Sequence, residues 1–187
     1  VCGALDAEPG VAYLDESDPK QRLTGVRVLY LSMFFAGPVA AKIAVDMGAD
    51  VIKVESVQRI DGWCGSAFGD TEELPAWEAS PFFNRVNRNK GDITLNLTDS
   101  WGQEILKHLV SDADVLIENF TLRVMANFGL DSETLKAIKP RLVMISLSGF
   151  GVGTSWRDYV AFGVSTEQMS GVSHLTGYEN DVPIFTG

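Results

Sequence analysis

Five short runs of apolar and β-branched residues recur along the chain and predict five β-strands. They are Val26–Leu31, Asp50–Glu55, Asp92–Leu97, Asp114–Asn119 and Leu142–Ser148. Most of these runs are almost continuously apolar, which is typical of strands that are covered on both faces of a sheet. The pattern therefore indicates a sheet enclosed between layers of helices.

Helical periodicity fills the space between these strands. Pro38–Met47 opens on a proline, which suits a first helical turn, and Gly48 supplies a left-handed stop. The larger apolar residues of this helix, Val39, Ile43 and Met47, fall on one face.

A second helix is predicted to begin at a capping box, Ser100–Gln103, with Trp101, Ile105 and Leu109 on one face. Asp131–Lys139 is a third, short helix that ends before a proline. The alternation of strands and helices predicts a parallel α/β sheet with right-handed crossovers.

The 187 residues include 15 basic and 25 acidic side chains, a formal charge of −10. This negative charge argues against a dedicated nucleic-acid-binding protein. Residues 1–24 hold five acids and two bases, and residues 56–80 hold five acids and one base. We interpret the first stretch as an acidic lead-in or linker, which places the domain at 25–187, and the second as a long surface loop.

Apolar residues make up 45% of the chain, but no run approaches the roughly eighteen residues that a membrane span needs. The two cysteines, Cys2 and Cys64, and the two histidines, His108 and His174, show no metal-binding spacing. We therefore expect a cytoplasmic protein without a membrane segment and without a metal.

Three segments at strand ends are candidates for chemistry. Gly149–Gly153 has the spacing GxGxG and no good helix after it, so it favours a flexible turn over a nucleotide-binding loop. Ala36–Pro38 lies at the edge where open α/β sheets bind ligands, although a tight turn accounts for the same residues. The basic residues Arg85, Arg88 and Lys90 either hold a phosphorylated ligand or belong to a solvated loop.

Together these segments resemble the class III CoA-transferase family, the group of formyl-CoA:oxalate transferases, carnitine CoA-transferases and α-methylacyl-CoA racemases. Each motif is short, and the resemblance is specific because the whole set occurs in order from about Gly25 to Gly187. The similar stretches are Gly25–Leu29, Ala36–Pro38, Met47–Glu55, Asn87–Lys90, Ala113–Phe120, Phe128–Leu130, Lys139–Val143, Ser146–Gly151, Ser170–Gly171 and Leu175–Gly177.

The resemblance implies an α/β fold with a Rossmann-like parallel sheet and helices on both faces, as the N-terminal part of a large domain. It also implies a homodimer, coenzyme A (CoA) as acyl-CoA, a carboxylic acid as second substrate, and no metal. The residues implied to contact CoA are Phe35 and Ala36 through their backbone, Leu95, Asn96, Leu97 and Thr98 at the adenine, Asn119, Phe120 and Thr121 at the pantetheine or phosphates, and Val160, Ala161, Phe162 and Gly163 at the thioester.

In transferases of this family an aspartate attacks the thioester, and the resemblance places it a few residues beyond Gly187. We therefore expect no catalytic residue in this chain and no turnover by the chain alone. Ser56 stands where some relatives have a phosphate-binding arginine, and Phe162–Gly163 stands where many have a tyrosine and an acid. These departures and the acidic lead-in favour, as an alternative, a non-catalytic CoA-binding half. The racemase branch of the family leaves a CoA-thioester racemase as a further alternative.

Overall fold

Strands and helices alternate along the chain in the computed structural model, which describes residues 21–64 and 78–184. All five predicted strands are present, and the second has the predicted bounds. The strands are β1 (Arg27–Tyr30), β2 (Asp50–Glu55), β3 (Gly91–Thr94), β4 (Val115–Glu118) and β5 (Val143–Ser146). The helices of the described residues are α1 (Ala36–Asp46), α2 (Pro81–Asn87), α3 (Ser100–Asp112), α4 (Leu122–Asn127), α5 (Ser132–Ile138), α6 (Gly163–Ser170) and α7 (Val172–Leu175).

The five strands form one sheet in the order β3-β2-β1-β4-β5. Every neighbouring pair is parallel, as the sequence predicts. From β1 the chain first builds outward to β2 and β3, and it then returns to place β4 on the other side of β1. This reversal makes the gap between the ends of β1 and β4 a topological switch point, where open α/β sheets bind ligands.

Apolar side chains cover both faces of the sheet. On one face, Leu29 of β1 belongs to a buried cluster with Leu106 of α3 and Leu135 of α5. On the other face, Tyr30 of β1 belongs to a second cluster with Ala41 of α1. Neighbouring residues of one strand thus pack against helices on opposite faces of the sheet, which confirms the prediction of a sheet enclosed between helices.

Helix α1 ends where the sequence predicts, because Gly48 follows it with a φ of +93°. The face that it buries, however, is not the predicted one. Its buried positions are Gly37, Pro38 and Ala41, whereas Ile43 is more than half exposed. Small residues allow the helix to lie close to the sheet, so the larger aliphatic side chains point elsewhere.

Helix α3 corrects two further predictions. Its N-cap is Asp99, whose side chain accepts a hydrogen bond from the backbone N–H of Trp101, so the predicted capping box does not form. Its buried face contains Gly102, Leu106 and Val110. Trp101, predicted on the apolar face, is 78% exposed.

The segment between β2 and β3 is more structured than the predicted loop. Helix α2 begins at Pro81 and is capped by Ser80, whose hydroxyl accepts a hydrogen bond from the N–H of Phe83. Asp61 and Cys64, also in this segment, are buried. Residues 65–77 of the predicted loop and residues 1–20 of the predicted lead-in lie outside the described residues, and Leu23 packs against the α1 side of the sheet.

Candidate functional site

The loops after the five strands meet at the carboxyl edge of the sheet and enclose two neighbouring cavities. The first, here called the β3 cavity, has a volume of about 220 Å3. It is bordered by the segment after β2 and by Leu95, Asn96, Leu97 and Thr98 after β3. Its floor is apolar, with Leu31 and Val54 from the sheet and Phe128 from the turn after α4.

The second cavity, here called the β5 cavity, has a volume of about 510 Å3 and lies on the β4 and β5 side. The loop between β1 and α1 and the segment Val160–Gly163 form opposite walls. Met33, Arg59, Phe120 and Val124 border both cavities. The two cavities are therefore adjacent parts of one long groove that crosses the switch point.

All of the residues implied to contact CoA border one of these cavities. Phe35, Ala36, Asn119 and Thr121 lie at the β5 cavity with Val160–Gly163, and Leu95–Thr98 lie at the β3 cavity. Residues that are up to 128 positions apart in the sequence are thus collected along one groove. Their contact with CoA stays a prediction.

Side chains from β2, from the segment after it and from the loop after β4 hold three consecutive backbone residues after β1. Lys53 Nζ donates to Ser32 O at 3.3 Å, and Asp61 Oδ1 accepts from Phe34 N at 3.1 Å. Between them, the amide of Asn119 accepts from Met33 N and donates to Met33 O. The loop that carries Phe35 into the groove is therefore fixed by its neighbours.

A buried ionic cluster of Lys53, Glu55 and Asp61 forms part of the wall of the β3 cavity. Lys53 Nζ is 2.9 Å from Asp61 Oδ2 and 3.4 Å from Glu55 Oε1. The same ammonium group lies 4.9 Å from the ring centre of Tyr30, a distance at which a cation is attracted to an aromatic face. Burial, followed by the charges of Asp61 and Glu55, raises the pKa of Tyr30 far above its ordinary value.

The basic stretch after α2 does not border the groove, which argues against the prediction that it holds a phosphorylated ligand. Lys90 is buried, and its Nζ donates to Pro38 O at 2.8 Å and to Val86 O at 2.7 Å. Arg88 pairs with Asp46 at 2.8 Å, and Arg85 borders neither cavity. The solvated-loop alternative also fails, because Arg85 lies in helix α2.

Burial also perturbs other ionisable groups near the sheet, among them Lys90 and Glu118. Desolvation, and secondly the charge of Lys53, lowers the pKa of Lys90 to about 7. Desolvation also raises the pKa of Glu118 at the end of β4, against the hydrogen bonds from Ser146 and from Phe120 N. Lys90 contacts Pro38 of α1, and Glu118 accepts a hydrogen bond from Phe120 N in the loop after β4. Neither group borders a cavity.

Arg59 and Asp61 are the site residues that the sequence analysis missed. Both lie in the acidic stretch after β2, which the sequence predicts to be a surface loop. Arg59 is exposed, forms no ion pair with any described residue, and borders both cavities. The sequence signal for Arg59 is its charge, since it is the single basic residue in the acidic stretch of residues 56–80.

No group of His, Cys, Asp and Glu within residues 21–64 and 78–184 has the arrangement of a metal site. None of the helices in the same ranges is both long and apolar enough to cross a membrane. Gly149–Gly153 forms a turn with no helix directly after it, as the sequence predicts.

A sequence model of CoA-transferase family III matches residues 23–187. Among curated proteins, the chain is 36% identical over 179 residues to a succinate–glutarate CoA-transferase of Agrobacterium fabrum, covering 92% of this chain and 44% of that protein. It is 34% identical over 165 residues to a formyl-CoA:oxalate CoA-transferase of Streptomyces avermitilis, covering 88% of this chain and 38% of that protein.

Solved structures give the same picture. The fold superposes on the crystal structure of a CaiB/BaiF family protein from Brucella suis with a TM-score of 0.77 and 35% identity. The match covers 90% of this chain and 44% of that one. The chain thus spans less than half the length of the relatives that it matches.

Proposed function

Because the chain belongs to CoA-transferase family III, we propose that the complete protein transfers CoA between an acyl-CoA thioester and a carboxylic acid. The observation that carries this proposal is the groove at the switch point, which gathers residues from the loops after all five strands. The names of the two curated relatives pair CoA transfer with succinate and glutarate, and with oxalate. The resemblance implies a homodimer and the cysteine content predicts a cytoplasmic location, and we propose both for the complete protein.

The proposed ligand lies along the groove in an extended form. The adenine occupies the β3 cavity, where Leu95–Thr98 and an apolar floor suit a flat heterocycle. The pantetheine arm passes Phe120 into the β5 cavity, and the thioester ends near Val160–Gly163. The larger volume of the β5 cavity leaves room for an acyl group beside the thioester.

Arg59 is the residue that we assign to the phosphates of CoA. The phosphates lie between the adenosine and the pantetheine arm, and Arg59 borders both cavities at their junction. Its guanidinium has no ion-pair partner in the described part of the chain and is free to contact a phosphate. This assignment replaces Arg88 and Lys90, which are engaged elsewhere.

The proposed chemistry uses an aspartate beyond Gly187 as nucleophile. Its carboxylate attacks the thioester carbonyl, and the carbon–sulfur bond breaks. CoA thiolate is the leaving group, and a mixed anhydride forms between the acyl group and the aspartate. The thiolate then attacks the aspartyl carbonyl, which releases the first acid and leaves an aspartyl-CoA thioester. The acceptor carboxylate then attacks the aspartyl-CoA thioester, which releases the thiolate and forms a second mixed anhydride. The thiolate attacks the acceptor's carbonyl in this anhydride, which gives the new acyl-CoA and frees the aspartate. No added proton or oxidant is needed. The chain of residues 1–187 alone is proposed to be inactive.

Binding is tested by calorimetric titration of the complete protein with CoA. We expect Arg59→Gln to raise the Kd for CoA by about tenfold or more, because a charge-assisted hydrogen bond contributes about 1.5–3 kcal/mol. The matched control is Arg85→Gln, which removes an equal charge away from both cavities and should change the Kd less than twofold. Equal effects of the two variants would contradict the assignment of Arg59.

Transfer is tested with succinyl-CoA as donor and glutarate or oxalate as acceptor, followed by hydroxylamine trapping. A trapped adduct on an aspartate supports the transferase. CoA binding without transfer or adduct would instead support the non-catalytic CoA-binding half. Exchange of the α-proton of a branched acyl-CoA without transfer would support the racemase.

A further inference from the structure

The loop between β1 and α1 adopts a conformation that its own residues do not favour. Phe34 has a φ of +65°, in the left-handed region that large side chains rarely occupy. Directly after it, Phe35 and Ala36 begin α1 and border the β5 cavity. The orientation of these two residues therefore depends on whatever holds Phe34 in place.

Asp61 makes the contact that holds this backbone. Its side chain is 2% exposed, and its Oδ1 accepts hydrogen bonds from Phe34 N and Trp63 N, both at 3.1 Å. Its Oδ2 accepts from Lys53 Nζ at 2.9 Å. One carboxylate thus joins the loop after β1, the turn after β2 and a buried lysine of β2.

The next residue holds the Phe34 ring. A Cβ at Gly62 would lie 2.2 Å from Cε1 of Phe34, so the ring packs directly on this glycine. The same ring contacts Phe162 edge-on, with 5.6 Å between the ring centres. Asp61 and Gly62 therefore fix both the backbone and the ring of Phe34, and through Phe162 they are linked to the opposite wall of the β5 cavity.

We propose that Asp61 is a positioning residue, which holds Phe34 in its left-handed conformation and thereby aligns Phe35 and Ala36 for the ligand in the groove. Lys53 neutralises the buried carboxylate and fixes Ser32 on the same loop. Asp61 borders the β3 cavity, but both of its carboxylate oxygens already accept hydrogen bonds from the protein. The expected effect on CoA rests on the proposed function, whereas the expected effect on the loop does not.

The test compares Asp61→Asn with Asp61→Ser in the complete protein. Both variants remove the negative charge opposite Lys53, and in both Lys53 Nζ loses the acceptor that Asp61 Oδ2 provides. Asparagine retains an oxygen that reaches Phe34 N and Trp63 N, whereas the shorter serine hydroxyl serves only the local turn to Trp63. The two variants therefore differ chiefly in the hydrogen bond to Phe34.

Two measurements are made on each variant. In hydrogen–deuterium exchange of a peptide covering residues 31–37, we expect faster exchange in Asp61→Ser than in Asp61→Asn. In calorimetry, we expect the Kd for CoA to rise about tenfold in Asp61→Ser and less than threefold in Asp61→Asn, since one hydrogen bond contributes about 1 kcal/mol and an unsatisfied donor costs more. Val51→Ala, a core variant at the amino end of β2 that borders neither cavity, should leave the Kd within twofold.

The outcomes separate the possible roles of Asp61. Equal losses in the serine and asparagine variants would show that only its charge matters and would overturn the proposal, as would wild-type behaviour of both. If neither variant folds, each is combined with Lys53→Met, which removes the buried ammonium group, and the same comparison is made. If the two variants show the expected difference in exchange but the wild-type protein does not bind CoA, the proposed function is overturned and the positioning role stands.

Discussion

The side-chain amide of Asn119 forms two hydrogen bonds with the backbone of Met33 across the switch point of the sheet. Its Oδ1 accepts from Met33 N at 3.1 Å, and its Nδ2 donates to Met33 O at 2.8 Å. The two residues follow β4 and β1, the neighbouring strands whose loops diverge to opposite sides. The side chain of Asn119 therefore fixes the loop after β1, which borders the β5 cavity.

Asn119→Asp is the sharpest test of this link. The variant keeps an acceptor for Met33 N but places a carboxylate oxygen against Met33 O, where a donor is needed. We expect a loss of about 1–3 kcal/mol in the free energy of unfolding, measured by urea denaturation, because the carbonyl loses its donor and faces a like partial charge. Asn127→Asp, on the exposed end of α4, introduces the same charge and should change this free energy by less than about 0.5 kcal/mol.

Gly102→Ala tests how closely α3 approaches the loop at the β3 cavity. A Cβ at this position would lie 2.1 Å from the backbone oxygen of Asn96. Alanine favours a helix interior over glycine by about 1 kcal/mol, but relief of the overlap requires backbone movement that costs about 1–3 kcal/mol. We expect a net loss of thermal stability and weaker binding of CoA, because Asn96 borders the cavity.

The control for this variant is Gly153→Ala, in a turn where an added Cβ meets nothing within 4 Å. A stabilised Gly102→Ala variant with normal CoA affinity would contradict the close packing of α3 on Asn96.

The sheet was predictable from the sequence because its central strands are buried on both sides. A strand such as β4 is apolar at its first three positions, and that pattern is visible without knowledge of its neighbours. The buried faces of α1 and α3 were not predictable in the same way. Their contacts with the sheet use Gly37, Ala41 and Gly102, and a pattern that gives weight to large apolar residues selects Ile43 and Trp101 instead.

The site was predictable only in part, for a related reason. The segments that border the groove follow strand ends, so their positions follow from the fold and from the family resemblance. The roles of Asp61 and Lys90 depend on long-range hydrogen bonds to Phe34 and Pro38, which no local pattern specifies. Charge alone therefore pointed to Arg88 and Lys90, although the exposed cation at the groove is Arg59.

Arg88→Gln tests the correction to the basic stretch. Arg88 Nη2 lies 2.8 Å from Asp46 Oδ2, and both side chains are well exposed. Exposed ion pairs contribute about 0–1 kcal/mol, so we expect a small loss in stability that decreases further at high salt. The Kd for CoA should stay within twofold of the wild type. A Kd raised as much as by Arg59→Gln would show that the basic stretch does reach the ligand.

The buried Lys90 predicts a particular dependence of stability on pH. Its pKa is lowered to about 7 in the folded protein, from an ordinary value of 10.5. Between these two values the unfolded chain binds the proton more tightly, so the free energy of unfolding rises with pH across this range. Below pH 7 the lysine is charged in both states, and the full cost of burying the charge is present.

Lys90→Met removes this titration, although it also leaves Pro38 O and Val86 O without their donor. We therefore compare how the free energy of unfolding changes with pH in the two proteins, and not its absolute value. It is measured by urea denaturation of the wild type and the variant at intervals from pH 6 to pH 10. The difference between the two free energies should grow steadily above pH 7, in favour of the wild type. A difference that is constant over the whole range would mean that the pKa of Lys90 is the same in the folded and unfolded protein, and that its ammonium group stays charged in its buried position.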